Sequence, residues 1–227
     1  QNVGRYIVQA KLPAGSYTGS AVTHTSFTGT LNDLEHGAYL DLISRLMHNV
    51  MHCKLIQTGC LGSKLICNVG CYSSNHLGLQ VVIRSEHSPV YLQHQLDDFY
   101  VWFRDEYLAN LSEEKLGVAI KDAIRCKKSS KKDMFAVFNK QWECIKSGSY
   151  QFLSSEQHSR VLLQATVDKV LAFWDEKLAP LAQDKQPHLF IHVYPEGLEM
   201  PAMNDRQIYA DTIIALQECL ACGGIPS

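Results

Sequence analysis

The sequence has no apolar run long enough to cross a bilayer. Its apolar runs, such as those at 81–83 and 161–163, fall far short of the roughly 20 residues that a spanning helix needs. No basic segment with an apolar core follows Gln1, so no secretory signal is recognisable, and the missing initiator Met leads us to expect a piece of a longer protein.

The chain also has almost no excess of positive or negative charge. The chain has 21 Lys and Arg against 23 Asp and Glu, so no net field marks it as a binder of nucleic acid or of a membrane, and neither partner is expected. One local exception is a basic cluster at Lys127, Lys128, Lys131 and Lys132. This cluster is typical of a solvated connector, with an anion site at a helix start as the alternative.

Cysteine is too sparse for a disulfide scaffold, with eight in 227 residues. We therefore expect reduced thiols and an intracellular, cytoplasmic protein. Cys219 and Cys222 have the spacing of half a zinc site, but the other close pair, Cys67 and Cys71, has three intervening residues and lies far away in sequence. No metal is expected in this chain.

Complete catalytic motifs are missing as well. His48 and His52 stand one helical turn apart, as in zinc peptidases, but the residues between them provide no Glu as general base. We expect them on a solvated helix face with Asp41, Ser44 and Arg45. No Gly-x-Ser-x-Gly elbow and no glycine-rich phosphate loop occurs. Catalytic residues are therefore expected outside this chain.

What the sequence does contain is regular patterning, with 46% hydrophobic residues. Alternating or β-rich runs predict strands at 21–28, 64–72, 77–85 and 189–194. Capping residues followed by periodic apolar residues predict helices that begin near Asp33, Ser88, Ser112, Ser130 with Asp133, Ser154, Thr166 and Asn204. Hairpin strands and consecutive helices predict an α+β fold with a largely antiparallel sheet backed by helices.

The whole chain is interpreted as one domain, 1–227. Residues 1–20 form an entry segment, 21–180 the main sheet and helices, and 181–227 the last strand and a terminal helix.

An ordered series of short motifs resembles the last domain of the insulysin and pitrilysin zinc peptidases. The series is Leu77-Gly78-Leu79-Gln80, Val82-Ile83-Arg84-Ser85-Glu86, Pro89-x-Tyr91-Leu92, Leu111-Ser112-Glu113-Glu114, Trp142 with Tyr150-Gln151-Phe152, and Val167-Asp168-Lys169. The resemblance implies a clamshell metallopeptidase whose N-terminal half holds zinc, with this chain as a catalytically silent lid. Peptide substrates and that N-terminal half would be its partners, and self-association is left open.

The resemblance also implies substrate-binding positions. Family members carry Arg-Thr followed by Gln-Leu-Gly-Tyr, whose Arg and Tyr reach the substrate. Here Gln57 stands at the Arg position, and Lys64, or Ser63 if Leu61-Gly62 is the anchor, stands at the Tyr position. The expected function is the peptide-binding part of a zinc metalloendopeptidase. The alternative is a degenerate homologue that acts as an interaction or regulatory subunit.

Overall fold

The structure is a computed structural model that describes residues 5–13, 15, 19–58, 61, 64–72, 76–129, 133–146, 154–179, 188–201 and 207–210. The strands are β1 (Arg5–Lys11), β2 (Ser20–Thr30), β3 (Lys64–Tyr72), β4 (His76–Ser85), β5 (His188–Tyr194) and β6 (Gln207–Ala210). The helices are α1 (Leu34–Met51), α2 (Pro89–Trp102), α3 (Glu113–Ser129), α4 (Met134–Lys146), α5 (Ser154–Leu162) and α6 (Val167–Lys177). Two wider helical segments, π1 (His52–Thr58) and π2 (Phe103–Leu108), continue α1 and α2.

The strands form one sheet in the order β3-β4-β2-β5-β1-β6. The pairs β3–β4, β4–β2 and β2–β5 are antiparallel, whereas β1 pairs in parallel with both β5 and β6. The predicted hairpin is β3 and β4, with Lys64 opposite Arg84 at its open end. The α+β class with a largely antiparallel sheet backed by helices is thereby confirmed.

Helix α1 begins where its capping residue predicts. The Asp33 carboxylate accepts a hydrogen bond from the His36 backbone N–H at 2.9 Å, which satisfies a donor that the first turn leaves unpaired. Three residues of the predicted apolar face, Leu42, Ile43 and Met47, are fully buried. Helix α1 packs on β3 and α5, so its apolar face closes one end of the core.

Helix α2 also begins as predicted, with the Ser88 hydroxyl accepting from the Tyr91 N–H and Pro89 at the first helical position. Its continuation π2 brings Phe103 into the core against Trp174 of α6, with ring centroids 5.1 Å apart. Both rings are almost completely buried. Separately, no helix in the described part of the chain is long and apolar enough to span a membrane.

No pattern in the sequence predicts β1, because its partner β5 is remote in sequence and local pattern does not reveal that pairing. The division of the chain at residue 20 stays a prediction. Two other features differ from the sequence-based expectations. Residues 207–210 are a strand, so the helix predicted there is wrong, and the rest of that predicted helix lies outside the described residues. On α1, Ser44 is buried rather than solvated.

Candidate functional site

An open cleft of about 610 Å³ lies between α1, β3, π2 and α3. Its lining combines polar side chains with apolar ones. The lining residues are Asp41, Ser44, Arg45, Leu46, His48, Asn49, Cys67, Asn68, Val69, Tyr107, Lys115, Val118, Ala119 and Asp122. We call it the β3 cleft.

Strand β3 contributes three successive residues, Cys67, Asn68 and Val69, to this cleft. Successive strand residues point to opposite faces of a sheet, so a cleft lined by all three runs along the edge of the strand and not over one face. Among the described strands, β3 is at the end of the sheet and pairs only with β4. Its other side therefore presents backbone N–H and C=O groups to the cleft.

Helix α1 forms one wall of the cleft, and an ion pair lies on that wall. The Arg45 Nε donates to Asp41 Oδ2 at 3.3 Å, one helical turn away. Burial opposes the charged guanidinium, but the charges and hydrogen bonds of Asp41 and Cys126 together outweigh that effect and raise the pKa of Arg45. The predicted solvated face is therefore a half-buried wall, in which the Ser44 hydroxyl donates to the Asp41 carbonyl at 2.9 Å.

His48 stands on the same wall, two turns after Asp41. Within the described part of the chain, its Nδ1 is buried and has no hydrogen-bond partner. Because this nitrogen is itself shielded from solvent, the ring would have to rotate before Nδ1 could form a hydrogen bond with a group bound in the cleft. Its sequence neighbour in the zinc-like spacing, His52, is exposed on π1 and does not line the cleft.

The opposite wall comes from α3 and π2. Val118 and Ala119 supply apolar surface, and Lys115 and Asp122 supply opposite charges at the rim. Burial raises the pKa of Tyr107, so its hydroxyl stays protonated at neutral pH. The walls thus offer hydrogen bonds, both signs of charge and apolar patches, a mixture suited to an extended polar chain with varied side chains.

The cleft contains no activated nucleophile. Burial raises the pKa of the Cys67 thiol to about 12, so it is neither a thiolate nucleophile nor a ready metal ligand at neutral pH. Within the described ranges, no three His, Cys, Asp or Glu side chains group as metal ligands would. The described residues therefore offer no zinc site of their own, and the zinc that the family resemblance implies belongs to the other half. Four cysteines, Cys53, Cys67, Cys126 and Cys144, are thiols and not disulfides.

Two of the three positions predicted from the resemblance, Gln57 and Lys64, are described, and neither lines the cleft. Gln57 is exposed near the end of π1, and Lys64 is exposed as the first residue of β3. Ser63 lies outside the described residues. Segment π1 is anchored to α2, because Lys54 Nζ lies 3.5 Å from the centroid of the Trp102 ring.

The residues that sequence reasoning missed are those on α1. Asp41, Arg45 and His48 recur at helical spacing on one face, and such a polar face is usually solvated. Only the position of α3 and π2 opposite that face turns it into a cleft wall.

A second polar cluster lies at the centre of the sheet. His24 Nδ1 lies 2.6 Å from Tyr100 Oη, and its Nε2 lies 3.1 Å from His188 Nδ1, which is also 2.8 Å from Ser26 Oγ. Neutral rings satisfy two of these contacts if Tyr100 donates to His24 and His24 donates to His188, and Ser26 then competes with His24 for the single lone pair of His188 Nδ1. The four side chains are buried, so this central network holds α2 to the sheet and is closed to substrates.

Solved structures with the same fold were found by structural comparison. Pitrilysin superposes with a TM-score of 0.76 over 95% of this chain and 23% of its own, at 14% identity. A protease from Helicobacter pylori gives 0.69 over 86% of this chain and 45% of its own, at 11% identity. The inactive peptidase domain of a putative zinc protease from Bordetella parapertussis gives 0.61 over 84% of this chain and 97% of its own, at 14% identity.

The sequence itself matches no protein-family profile and no curated protein. The chain spans about a quarter of pitrilysin and under half of the Helicobacter protease, but nearly the full length of the Bordetella domain. Its size is thus that of one peptidase domain. The chain has the fold of the pitrilysin-type zinc-peptidase domains, a group that includes inactive ones, and the resemblance suggested by its sequence motifs is confirmed at the level of the fold.

Proposed function

We propose that this chain is the non-catalytic, peptide-binding domain of an insulysin-like zinc metallopeptidase, and that the β3 cleft is where it holds peptide. The observation that carries the proposal is the edge of β3 along the cleft, with which no other described strand pairs. An extended peptide can add to such an edge through main-chain hydrogen bonds, which depend little on its sequence.

The walls of the cleft supply the remaining selectivity. A peptide strand beside β3 would place alternate side chains toward α1 and α3. One set would meet the Arg45 and Asp41 pair and the His48 ring, and the other the apolar surface of Val118 and Ala119. Such a site favours unfolded peptides of mixed composition over any one small ligand.

Catalysis would belong to another part of the parent protein, as would its zinc. The fold likeness to an inactive peptidase domain supports a silent role for this chain. The N-terminal catalytic half is then its principal partner, and an intracellular, cytoplasmic location remains part of the same proposal.

We also propose that Gln57 and Lys64 contact the bound peptide near the zinc of that other half. Both are exposed, as such contacts require. Relative to the Arg and Tyr that the family resemblance implies, Gln57 and Lys64 lack the bidentate fork and the aromatic hydroxyl. In the full-length parent, Gln57→Arg with Lys64→Tyr should raise kcat more than it changes KM, by on the order of tenfold or more. If kcat is unchanged in an active parent, these two residues do not contact the substrate.

The direct test is binding without cleavage. Fluorescence anisotropy of a labelled, unstructured peptide of about 12 residues should rise on titration with this chain. Mass spectrometry of the same sample, with zinc added, should show the peptide intact. Zinc-dependent hydrolysis that copurifies with the chain would contradict the proposal, and so would the absence of binding to a panel of such peptides.

A degenerate homologue that regulates other proteins is the second candidate. The departures at Gln57 and Lys64 favour it, because they remove groups that the family resemblance ties to turnover. The two candidates separate in the full-length parent. An active zinc peptidase supports the first, and a parent that binds peptide with no turnover supports the second.

A further inference from the structure

Helix α4 shows its most apolar side to the outside. Five large side chains, Met134, Phe135, Phe138, Trp142 and Ile145, are exposed, from 44% for Ile145 to 87% for Met134. At about 100° per residue they fall within one arc of about 100°. We call this arc the α4 stripe. The half-buried residues Val137, Gln141 and Cys144 occupy the adjoining arc of about 60° on the same helix.

This orientation is unusual for a helix of a water-soluble protein. A 13-residue helix is marginal alone, and such helices normally gain stability by burying their apolar face. Helix α4 has no extensive packing with any other element in the described part of the chain. By contrast, most of the apolar face of α1 is buried. The α4 stripe is therefore a surface that a partner can cover.

The charge around the stripe indicates which partner. Segment 125–146 contains seven Lys and Arg but two Asp and Glu, for a net charge of +5. The remaining residues contain 14 basic and 21 acidic side chains, for −7, so the overall value of −2 conceals a strongly basic segment. The basic cluster at 127–132 directly precedes the stripe. An anionic surface would match these lysines while the aromatic side chains enter an apolar layer.

Two other occupants fit this pattern less well. Two copies of the chain would bring two segments of +5 together, which their mutual repulsion opposes. A protein interface would have to tolerate many lysines, and interface cores are depleted in Lys. Aromatic side chains beside clustered Lys are instead the combination that holds a helix in the headgroup region of a bilayer.

We propose that α4 is an interfacial helix that binds the chain to the surface of membranes containing anionic lipids. The helix would lie in the plane of the surface over its length of about 20 Å. Met134, Phe138, Trp142 and Ile145 enter the boundary between headgroups and acyl chains. The flanking lysines contact anionic headgroups, so the attachment weakens as salt rises. The overall net charge of −2 gave no reason to expect a membrane, because it sums the basic segment 125–146 with the acidic remainder of the chain.

The test is sedimentation with sucrose-loaded vesicles of phosphatidylcholine, with or without 30 mol% phosphatidylserine. We expect at least tenfold tighter binding to the vesicles that contain phosphatidylserine, and loss of most of this binding in about 0.5 M salt. Phe138→Glu with Trp142→Glu should reduce binding at least tenfold. Lys127→Gln with Lys128→Gln should reduce it severalfold while leaving the stripe intact.

Val101→Glu is the matched control, because Val101 is an equally exposed apolar residue on α2. It should bind vesicles within twofold of the parent chain, and far-UV circular dichroism should show all variants folded. Equal binding to both vesicle types, or equal binding of the stripe variant, would overturn the proposal. So would a dimer that the stripe variant dissociates with no change in vesicle binding, or a full-length parent that ignores vesicles that this chain binds.

Discussion

The central network and the β3 cleft both contain histidines and hydroxyls, but they use them in opposite ways. In the network, His24 is buried and contacts Tyr100 and His188 within hydrogen-bonding distance. In the cleft, His48 is half exposed and its Nδ1 has no partner among the described residues. Buried polar groups that contact one another fix a fold, whereas half-buried side chains that line a cleft stay partly accessible to a ligand.

The largest expected effect separates the two regions by stability. His24→Ala should lower the free energy of unfolding by about 3 kcal/mol, because it leaves a cavity and two buried partners without their hydrogen bonds. His48→Ala should cost under about 1 kcal/mol, since no bond is lost. Urea denaturation of both variants measures the difference. Equal losses would mean that the cleft is as much a part of the folded core as the network.

The next prediction separates them by binding. Ala119→Trp would narrow the β3 cleft and should weaken peptide binding at least tenfold while leaving the fold intact. Val101→Trp adds the same ring to α2, away from the cleft, and should leave affinity within twofold. Anisotropy titrations of the two variants against one peptide check this. If Val101→Trp weakens binding as much, peptide does not occupy the cleft.

A third prediction concerns pH, through a histidine on the core side of α1. Burial lowers the pKa of His36 below 6.5, while Asp33 opposes the shift less strongly. The unfolded chain then binds more protons near pH 6, so the free energy of unfolding should fall as pH decreases below about 6.5 and level off below the lowered pKa. Denaturation midpoints between pH 8 and pH 5 measure this slope. His36→Gln should reduce it, and an unchanged slope would assign the effect to other groups.

A smaller effect is expected at the surface. Arg104 donates to both Asp175 carboxylate oxygens, at 3.0 and 2.8 Å, but both residues are exposed. Solvent screens such pairs, so Asp175→Asn should cost no more than about 1 kcal/mol. A double-mutant cycle with Arg104→Gln isolates the pair. A coupling of several kcal/mol would show that π2 and α6 depend on this contact more than on the packing of Phe103.

Sequence pattern predicted the elements that local chemistry defines. Asp33, Ser88 and Thr166 cap the helices that they were expected to cap, since a capping side chain bonds to backbone within its own turn. The β3 and β4 hairpin follows for the same reason, because its two strands adjoin in sequence. The fold class and the family likeness rest on this local information.

What sequence pattern missed depends on distant partners. Strand β1 pairs in parallel with β5, and His24 meets His188 across 164 residues, so no local signal marks either. Sequence pattern predicted a solvated face where α1 forms a wall of the cleft, because local sequence does not reveal that α3 and π2 lie opposite that face. Gln57 and Lys64, known only from the family resemblance, stay predictions.

Hydrogen–deuterium exchange of the chain with and without a saturating unstructured peptide tests the central claim most directly. A peptide that adds to the edge of β3 should slow exchange of backbone amides in 64–72, with smaller changes in α1 and none in the central strands β2 and β5. The peptide itself should be recovered intact. Protection confined to other elements, or exchange in β3 that bound peptide leaves unchanged, would contradict the assignment of the β3 cleft as the peptide site.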